Sequence, residues 1–282
     1  MNKEKINWFP GHMAKAIRKT EEDIKLCDGV IYVLDARAPF ASVNDKLLKI
    51  AGNKPIIYAL NKTDLVEKRY IASVVKEFSE KGKTVVSVNG TIKKEVEKLK
   101  SACINSLKEK IERDKSKGVK RTLRFIVVGI PNTGKSTIIN SLAGGKRAET
   151  GDKAGVTRSN KWIRLGDIEL LDTPGTMPPS MDNQVYAKHL AYIGCINDDI
   201  LDFEGLALEL IGELKDLCPD ELKERFSLKT LDNEPIDLFN EICLNRGYIF
   251  KGGEYDYERG AKAVFSDFRK GKIAKVCLEE RP

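Results

Sequence analysis

Eight residues constrain the fold of this chain more than any other stretch: Gly129-Ile130-Pro131-Asn132-Thr133-Gly134-Lys135-Ser136. They spell GxxxxGK[ST] between an apolar run, RFIVVG (124–129), and a helical pattern, KSTIINSLA (135–143). Glycines let the backbone curl so that its N–H groups point inward. The start of a helix adds partial positive charge, so strand, loop and helix together form a cradle for phosphate. On this reading Asn132, Thr133, Gly134 and Thr137 line the cradle. Lys135 reaches the β- and γ-phosphates, and the Ser136 hydroxyl ligates Mg2+.

The rest of the first 178 residues repeats the same alternation. VIYVL (30–34) ends at Asp35, PIIYAL (55–60) ends at Asn61, and TVVSV (84–88) is a third strand. Helical patterns fall at 43–51, 66–80 and 91–113, with a polar linker over 114–122. Residues 159–165 and 167–172 read as an antiparallel pair turned at Gly166–Asp167. Strands alternating with helices imply an α/β fold with a mostly parallel sheet and helices on both faces. Beyond Pro178–Pro179 the texture changes. Leu206, Leu210, Ile211, Leu214 and Leu217 have helical spacing, as do Ile236, Phe239, Ile242 and Cys243, and Ala261, Val264, Phe265 and Phe268. Pro219 and Pro235 sit where helices start. The expected organisation is a nucleotide-binding domain over 1–178, opened by a helical segment (1–27), and an all-helical domain over 179–282.

Composition narrows the class. At 41% hydrophobic and 32% charged residues the chain is neither disordered nor collagen-like. No apolar run approaches the roughly 18–20 residues that span a bilayer, and the N-terminus lacks the apolar core of a secretory signal. The six cysteines are scattered without a CxxC pair, which argues against a zinc site or a disulfide framework and for reduced thiols in a cytoplasmic protein.

Asp172-Thr173-Pro174-Gly175 closes the strand IELL. A carboxylate there can hold Mg2+ through water, and the Gly175 N–H can meet a γ-phosphate. Thr157, in AGVTR, is a candidate second Mg2+ ligand that orders with the γ-phosphate; a plain turn threonine is the competing reading. Asn61-Lys62-Thr63-Asp64 follows PIIYAL. The Asp64 carboxylate can accept from N1–H and the exocyclic amine of guanine, where adenine offers no matching donors. Asn61 can bond the other edge of the base, and the Lys62 stem can cover its plane. Ser87-Val88-Asn89 offers a backbone N–H for guanine O6.

These motifs run in an unusual succession, with the base-reading NKTD and SVN ahead of the phosphate loop, Thr157 and DTPG. The set resembles a GTPase of the translation-factor-related class in circularly permuted form. Asn7-Trp8-Phe9-Pro10-Gly11-His12-Met13-Ala14-Lys15-Ala16, Asp35-Ala36-Arg37, the run 256–261 and the run 267–272 narrow the resemblance to the ribosome biogenesis GTPase A (YlqF-type) family, over essentially the whole chain. That resemblance implies GTP hydrolysis during late assembly of the large ribosomal subunit, stimulated by the particle, with its rRNA and ribosomal proteins as partners. The chain is expected to be a monomer with no membrane partner. The resemblance casts His12 as catalytic beside Lys135 and Thr157, against the alternatives that His12 caps the first helix or touches RNA. It suggests K+ held by Asn132, against a role for that residue in the loop turn alone. Thr176 departs from the bulky apolar residue expected after DTPG.

The net charge is +7, and Lys93–Arg124 alone carries twelve Lys and Arg against five Asp and Glu. This stretch and the C-terminal set Lys262, Arg269, Lys270, Lys272 and Lys275 are candidate rRNA contacts, because cations neutralise phosphates; a merely solvated surface is the alternative. Trp8 and Phe9 read as core residues. Two other function classes share much of this pattern. One is a nucleotide-gated RNA-binding scaffold with little turnover. The other is a P-loop kinase or ATPase, which Asp64 argues against.

Overall fold

The computed structural model describes residues 11–119, 121–145, 161–178 and 182–279. Its six strands are β1 (Gly29–Asp35), β2 (Ile56–Asn61), β3 (Thr84–Ser87), β4 (Leu123–Val128), β5 (Lys161–Leu165) and β6 (Ile168–Asp172). They form one sheet in the order β3-β2-β1-β4-β6-β5, parallel throughout except for the β5–β6 pair. The strand that feeds the phosphate loop, β4, thus lies between β1 and β6. The arrangement is a circularly permuted GTPase sheet, in which strands early in the chain take the places on one side of β4.

Burial on both faces explains why the strands read as unbroken apolar runs. Every residue of β1 is buried, and successive side chains serve opposite cores. Val30, Tyr32 and Leu34 pack with Leu47 and Ala51 of α2 (Asp45–Ala51) and with Val74 and Phe78 of α3 (Lys68–Glu80). Ile31 and Val33 pack with Val96 and Leu99 of α4 (Lys93–Ser106) and with Ile138 and Ile139 of α6 (Lys135–Ala143). The chain enters through α1 (Gly11–Asp23), close to the helix expected over 13–25.

The single helix expected over 91–113 is two. It breaks at Leu107 (φ −117°, ψ 17°) and resumes as α5 (Lys108–Ser116), which takes up part of the expected linker. Leu107 is buried in the core with Val96 and Leu99, so the break follows from turning that side chain inward.

Beyond residue 182 the described chain is helical: α7 (Gln184–Tyr192), α8 (Phe203–Leu217), α9 (Pro219–Phe226), α10 (Pro235–Asn245) and α11 (Tyr257–Arg269). Two of these, α7 and α9, had no clear sequence pattern. The C-terminal half of α7 is buried almost all round (Ala187, His189, Leu190, Ala191, Tyr192), which erases an amphipathic stripe. Only Leu222 and Phe226 of α9 are buried. The helices share one core around Leu210, Ile211, Phe239 and Phe265, and it also takes in Ala38, Ala41, Ile130 and Met177. After α11 the chain returns to the sheet. Cys277 is buried with the α2–α3 face, Leu278 N–H donates to Arg37 O at 2.8 Å, and the Glu279 carboxylate accepts from the N–H groups of Phe40 and Ala41.

Candidate functional site

Parallel strands deliver their C-terminal ends to one edge of the sheet, which is where ligands bind in such folds. Here that edge gathers Asp35 from β1, Asn61 from β2, the phosphate loop after β4 and Asp172 from β6. The Asn61-Lys62-Thr63-Asp64 loop and the phosphate loop are joined directly. Asn61 Nδ2 donates to Thr133 O at 2.7 Å, and Asn61 Oδ1 accepts from Gly90 N–H at 2.8 Å. Asn61 is therefore first a tie between three loops, and both ends of its amide are engaged. Gly134 lies against this tie: a Cβ there would stand 2.2 Å from Asn61 Nδ2, and its φ of +93° suits glycine. Lys62, in the left-handed region at φ +62°, donates from Nζ to Asn132 O at 2.6 Å and pairs with Asp35 at 2.9 Å. Thr133 closes the loop on itself, its hydroxyl donating to Ile130 O at 3.1 Å.

At the phosphate end, Lys135 is buried with Nζ donating to Ile130 O at 2.8 Å. Burial pushes its ammonium down to about 8, against the pull of Asp172. Ser136 Oγ and Asp172 Oδ2 are 3.2 Å apart. A hydroxyl and a carboxylate side by side are hard oxygen donors of the kind Mg2+ prefers, so these residues fit that ion. Thr137 stands half-buried in the first turn of α6. Gly175 crosses the loop so closely that a Cβ there would meet Pro131 Cα at 2.6 Å and Lys135 Nζ at 3.0 Å. The next residue, Thr176, is buried and donates its N–H to Gly129 O at 3.2 Å, and Met177 is wholly buried in the helical core.

After β2, Asp64 is exposed and has no hydrogen-bond or ion-pair partner among the described residues. Ser87 ends β3 beside it. The N–H groups of Val88, Asn89 and Gly90 donate to Leu60 O, Glu95 Oε2 and Asn61 Oδ1. Of the backbone N–H groups that the sequence predicts Ser87-Val88-Asn89 to offer guanine O6, those of Val88 and Asn89 are taken up within the protein.

Sequence reasoning gave Asp35 and Arg37 no chemical role, yet they form the most buried ion pair beside the site. Arg37 grips Asp35 with Nε at 2.9 Å and Nη2 at 2.7 Å, and Lys62 takes the same carboxylate. Burial pushes the Asp35 carboxyl up, but the two cations outweigh it and hold it well below the usual carboxylate range. The available signal was two opposite charges at the end of a strand that is otherwise entirely apolar.

The basic candidates divide. Arg269 is structural: its guanidinium takes both Asp198 oxygens at 2.7 Å and the carbonyls of Ala191 and Tyr192 at 2.9 Å. Lys262 pairs with Glu258, whereas Lys270, Lys272 and Lys275 are exposed with no side-chain partner among the described residues. In the 93–124 stretch, Lys100 bonds Leu165 O, Lys110 pairs with Asp28, and Arg124 pairs with Glu169 while covering Trp162. All six cysteines are buried. His12 opens α1, but its side chain lies outside the described residues, as do Thr157, Trp8 and Phe9.

Residues 124–207 match a family model described as 50S ribosome-binding GTPase. A ribosome biogenesis GTPase A from Bacillus cereus is 39% identical over 276 residues, covering 97% of this chain and 93% of the relative. A GDP-bound YlqF structure is 26% identical with a TM-score of 0.68, covering 94% of this chain and 99% of that one. A GNP-bound YlqF structure from T. maritima superposes with a TM-score of 0.66, also at 26% identity, covering 94% of this chain and 98% of that one. Permuted sheet, phosphate loop and these likenesses agree: the chain belongs to the ribosome biogenesis GTPase A family, whose members bind and hydrolyse GTP.

Proposed function

We propose that this GTPase binds the large ribosomal subunit through its rRNA and ribosomal proteins, acts late in assembly of that subunit, and is stimulated in hydrolysis by the particle and by K+. The carrying observation is the short path from Gly175 to Met177. Gly175 packs on the phosphate loop, and two residues later Met177 is buried among the helices. A loop that senses the γ-phosphate therefore pulls on the helical region with almost no slack. The exposed Lys270, Lys272 and Lys275 at the end of α11 supply cations for rRNA phosphates. The description of the matched family model, 50S ribosome-binding GTPase, supports the choice of the large subunit.

In this reading residues 1–178 are the nucleotide-binding unit and 179–282 the ribosome-facing one, in a monomeric cytoplasmic protein. No helix among the described residues is long and apolar enough to cross a membrane. Asp64 accepts from the guanine edge, while Asn61 and Lys62 fix the loop that carries it. Asn132, Thr133, Gly134 and Thr137 surround the phosphates and Lys135 balances their charge. Ser136, Asp172 and Thr157 hold Mg2+, which when bound draws charge off the phosphate oxygens. His12 positions the attacking water, and Asn132 contributes to the K+ site.

GTP turnover with and without large ribosomal subunits, in K+ and in Na+, tests the proposal. The particle and K+ should each raise the rate. Equal rates under all four conditions would overturn it. Asp64→Asn should abolish the preference for GTP over ATP, and His12→Ala should depress hydrolysis while sparing GDP binding.

A further inference from the structure

The last turn of α7 ends beside the phosphate loop, and its carbonyls are held from three directions. Arg269 takes Ala191 O and Tyr192 O. Arg37 reaches Ile193 O at 3.5 Å and, through Nη1, Arg269 O at 3.3 Å. Asn132, within the phosphate loop, donates from Nδ2 to Gly194 O at 2.7 Å. A helix C-terminus presents four carbonyls without intrahelical partners and carries partial negative charge, so two guanidinium groups and an amide N–H suit it. Gly194 turns the chain at φ +78° with no room beyond Arg269, whose Cζ would lie 3.2 Å from a Cβ. Arg37 also holds Asp35, which holds Lys62, which holds the Asn132 carbonyl. Two routes therefore run from the phosphate loop to the end of α7: one through the Asn132 amide, one through Lys62, Asp35 and Arg37.

We propose that Arg37 is a positioning residue for the nucleotide site: it clamps the phosphate loop to the C-terminal turn of α7, and Arg269 completes the clamp from α11. The conformation of the helical region then sets the shape of the phosphate cradle, and occupancy of the cradle stiffens the helical region in return, since such coupling is reciprocal. This assigns a role to Asp35-Ala36-Arg37. It rests on the reading that GDP and GTP bind at the phosphate loop.

The test compares the native protein, Arg37→Lys, Arg269→Lys and the double variant, using a fluorescent GDP analogue as probe. Lysine keeps the charge but loses the fork that grips two acceptors at once. Arg269 is in α11 and, among the described residues, reaches the cradle through α7 and Arg37. Each single variant should raise the Kd about fivefold or more. The double variant should be little worse than the weaker single, because both act through the same turn. Hydrogen exchange at residues 193–195 should slow on GDP addition in the native protein and change little in Arg37→Lys. A folded Arg269→Lys with native Kd, effects that add in the double variant, or native exchange indifferent to GDP would each overturn the proposal. If Arg37→Lys fails to fold, Arg269→Lys and the native exchange measurement still decide. Failure of the native protein to bind GDP at all would instead sink the underlying assignment of the site.

Discussion

Asn61 Nδ2 donates to Thr133 O at 2.7 Å across 72 residues of sequence, and with Lys62 Nζ on Asn132 O it ties the loop that carries Asp64 to the loop that precedes Lys135. A pocket built from loop ends at one sheet edge depends on which strands are neighbours, not on the order in which the chain visits them. In this fold β1 and β2 precede β4, yet β1 pairs with it directly and β2 lies next to β1, all three parallel. Permutation changes what the loops are attached to. After DTPG the chain runs through Thr176 to Met177, which is buried in the helical core.

Gly134→Ala should damage this junction specifically. The added methyl would stand 2.2 Å from Asn61 Nδ2 at a φ of +93° that L-residues rarely adopt. We expect a loss of about 1–3 kcal/mol in stability and at least a tenfold weakening of GDP binding, measured by urea unfolding and by fluorescence titration. Asn61→Ala should lose a similar amount of stability, because it leaves Thr133 O and Gly90 N–H without their partner. Native stability in either variant would show that the two loops hold their places independently.

GDP affinity should depend on pH through Lys135. Its ammonium is pushed down to about 8 by burial, and a phosphate beside it favours the protonated form. Below about pH 8 the group is already charged in the free protein and affinity is level. Above that, binding must take up a proton, so the Kd should rise, approaching tenfold per pH unit. Titrations between pH 7 and 9.5 decide the matter, and a flat profile would mean that Lys135 is charged throughout.

Much of the fold and the phosphate cradle was legible in the sequence for a local reason. Strands covered on both faces are continuous apolar runs, and the cradle is one contiguous segment whose conformation its own glycines permit. What was illegible depends on partners far along the chain. The break at Leu107 answers to the core beneath it, not to the charged periodicity of 91–113. The C-terminal half of helix α7 is buried almost all round, so no stripe remains there to be read. That Val88 and Asn89 follow a strand is legible, but not the capture of their N–H groups by Leu60 O and Glu95. Arg269 looked like a surface cation because its acceptors lie 71 or more residues away.

Asp35→Asn should be among the most damaging single substitutions. The carboxylate is fully buried and faces both Arg37 and Lys62, so its neutralisation leaves two cations without a counter-charge. Breaking a buried pair in this way costs about 3–5 kcal/mol. Because the carboxyl is held well below the usual range, the stability it lends is present above the ordinary aspartate pKa and is lost only as pH falls toward its low folded value. The deficit of the variant should therefore be the same at pH 5 and pH 8 in urea unfolding, and a deficit that shrinks by pH 5 would mean the pair is weaker than its geometry implies.

His189 should make the protein less stable as the solution becomes alkaline. The imidazole is buried in α7 with Nε2 at 3.1 Å from Glu213, and Nδ1 stands 3.8 Å from Glu279. Tyr192 OH donates to the other Glu213 oxygen at 3.1 Å, and Glu279 is itself fixed by the Phe40 and Ala41 N–H groups. Burial pushes the imidazole down, but the two carboxylates outweigh it and raise it to about 9. A folded value above the unfolded one, about 6.5, gives stability that is complete below pH 6.5. That stability drains away as pH climbs from 6.5 to 9, by at most about 3 kcal/mol. Urea unfolding across that interval should show a downward slope in the native protein that His189→Gln flattens. Because Glu279 anchors the C-terminal tail to the loop after β1, the same alkaline change should loosen the tail, read as faster exchange of the Phe40 and Ala41 amides. An equal slope in His189→Gln would assign the pH dependence to other groups and leave the Glu213–His189–Glu279 cluster uncharged at its centre.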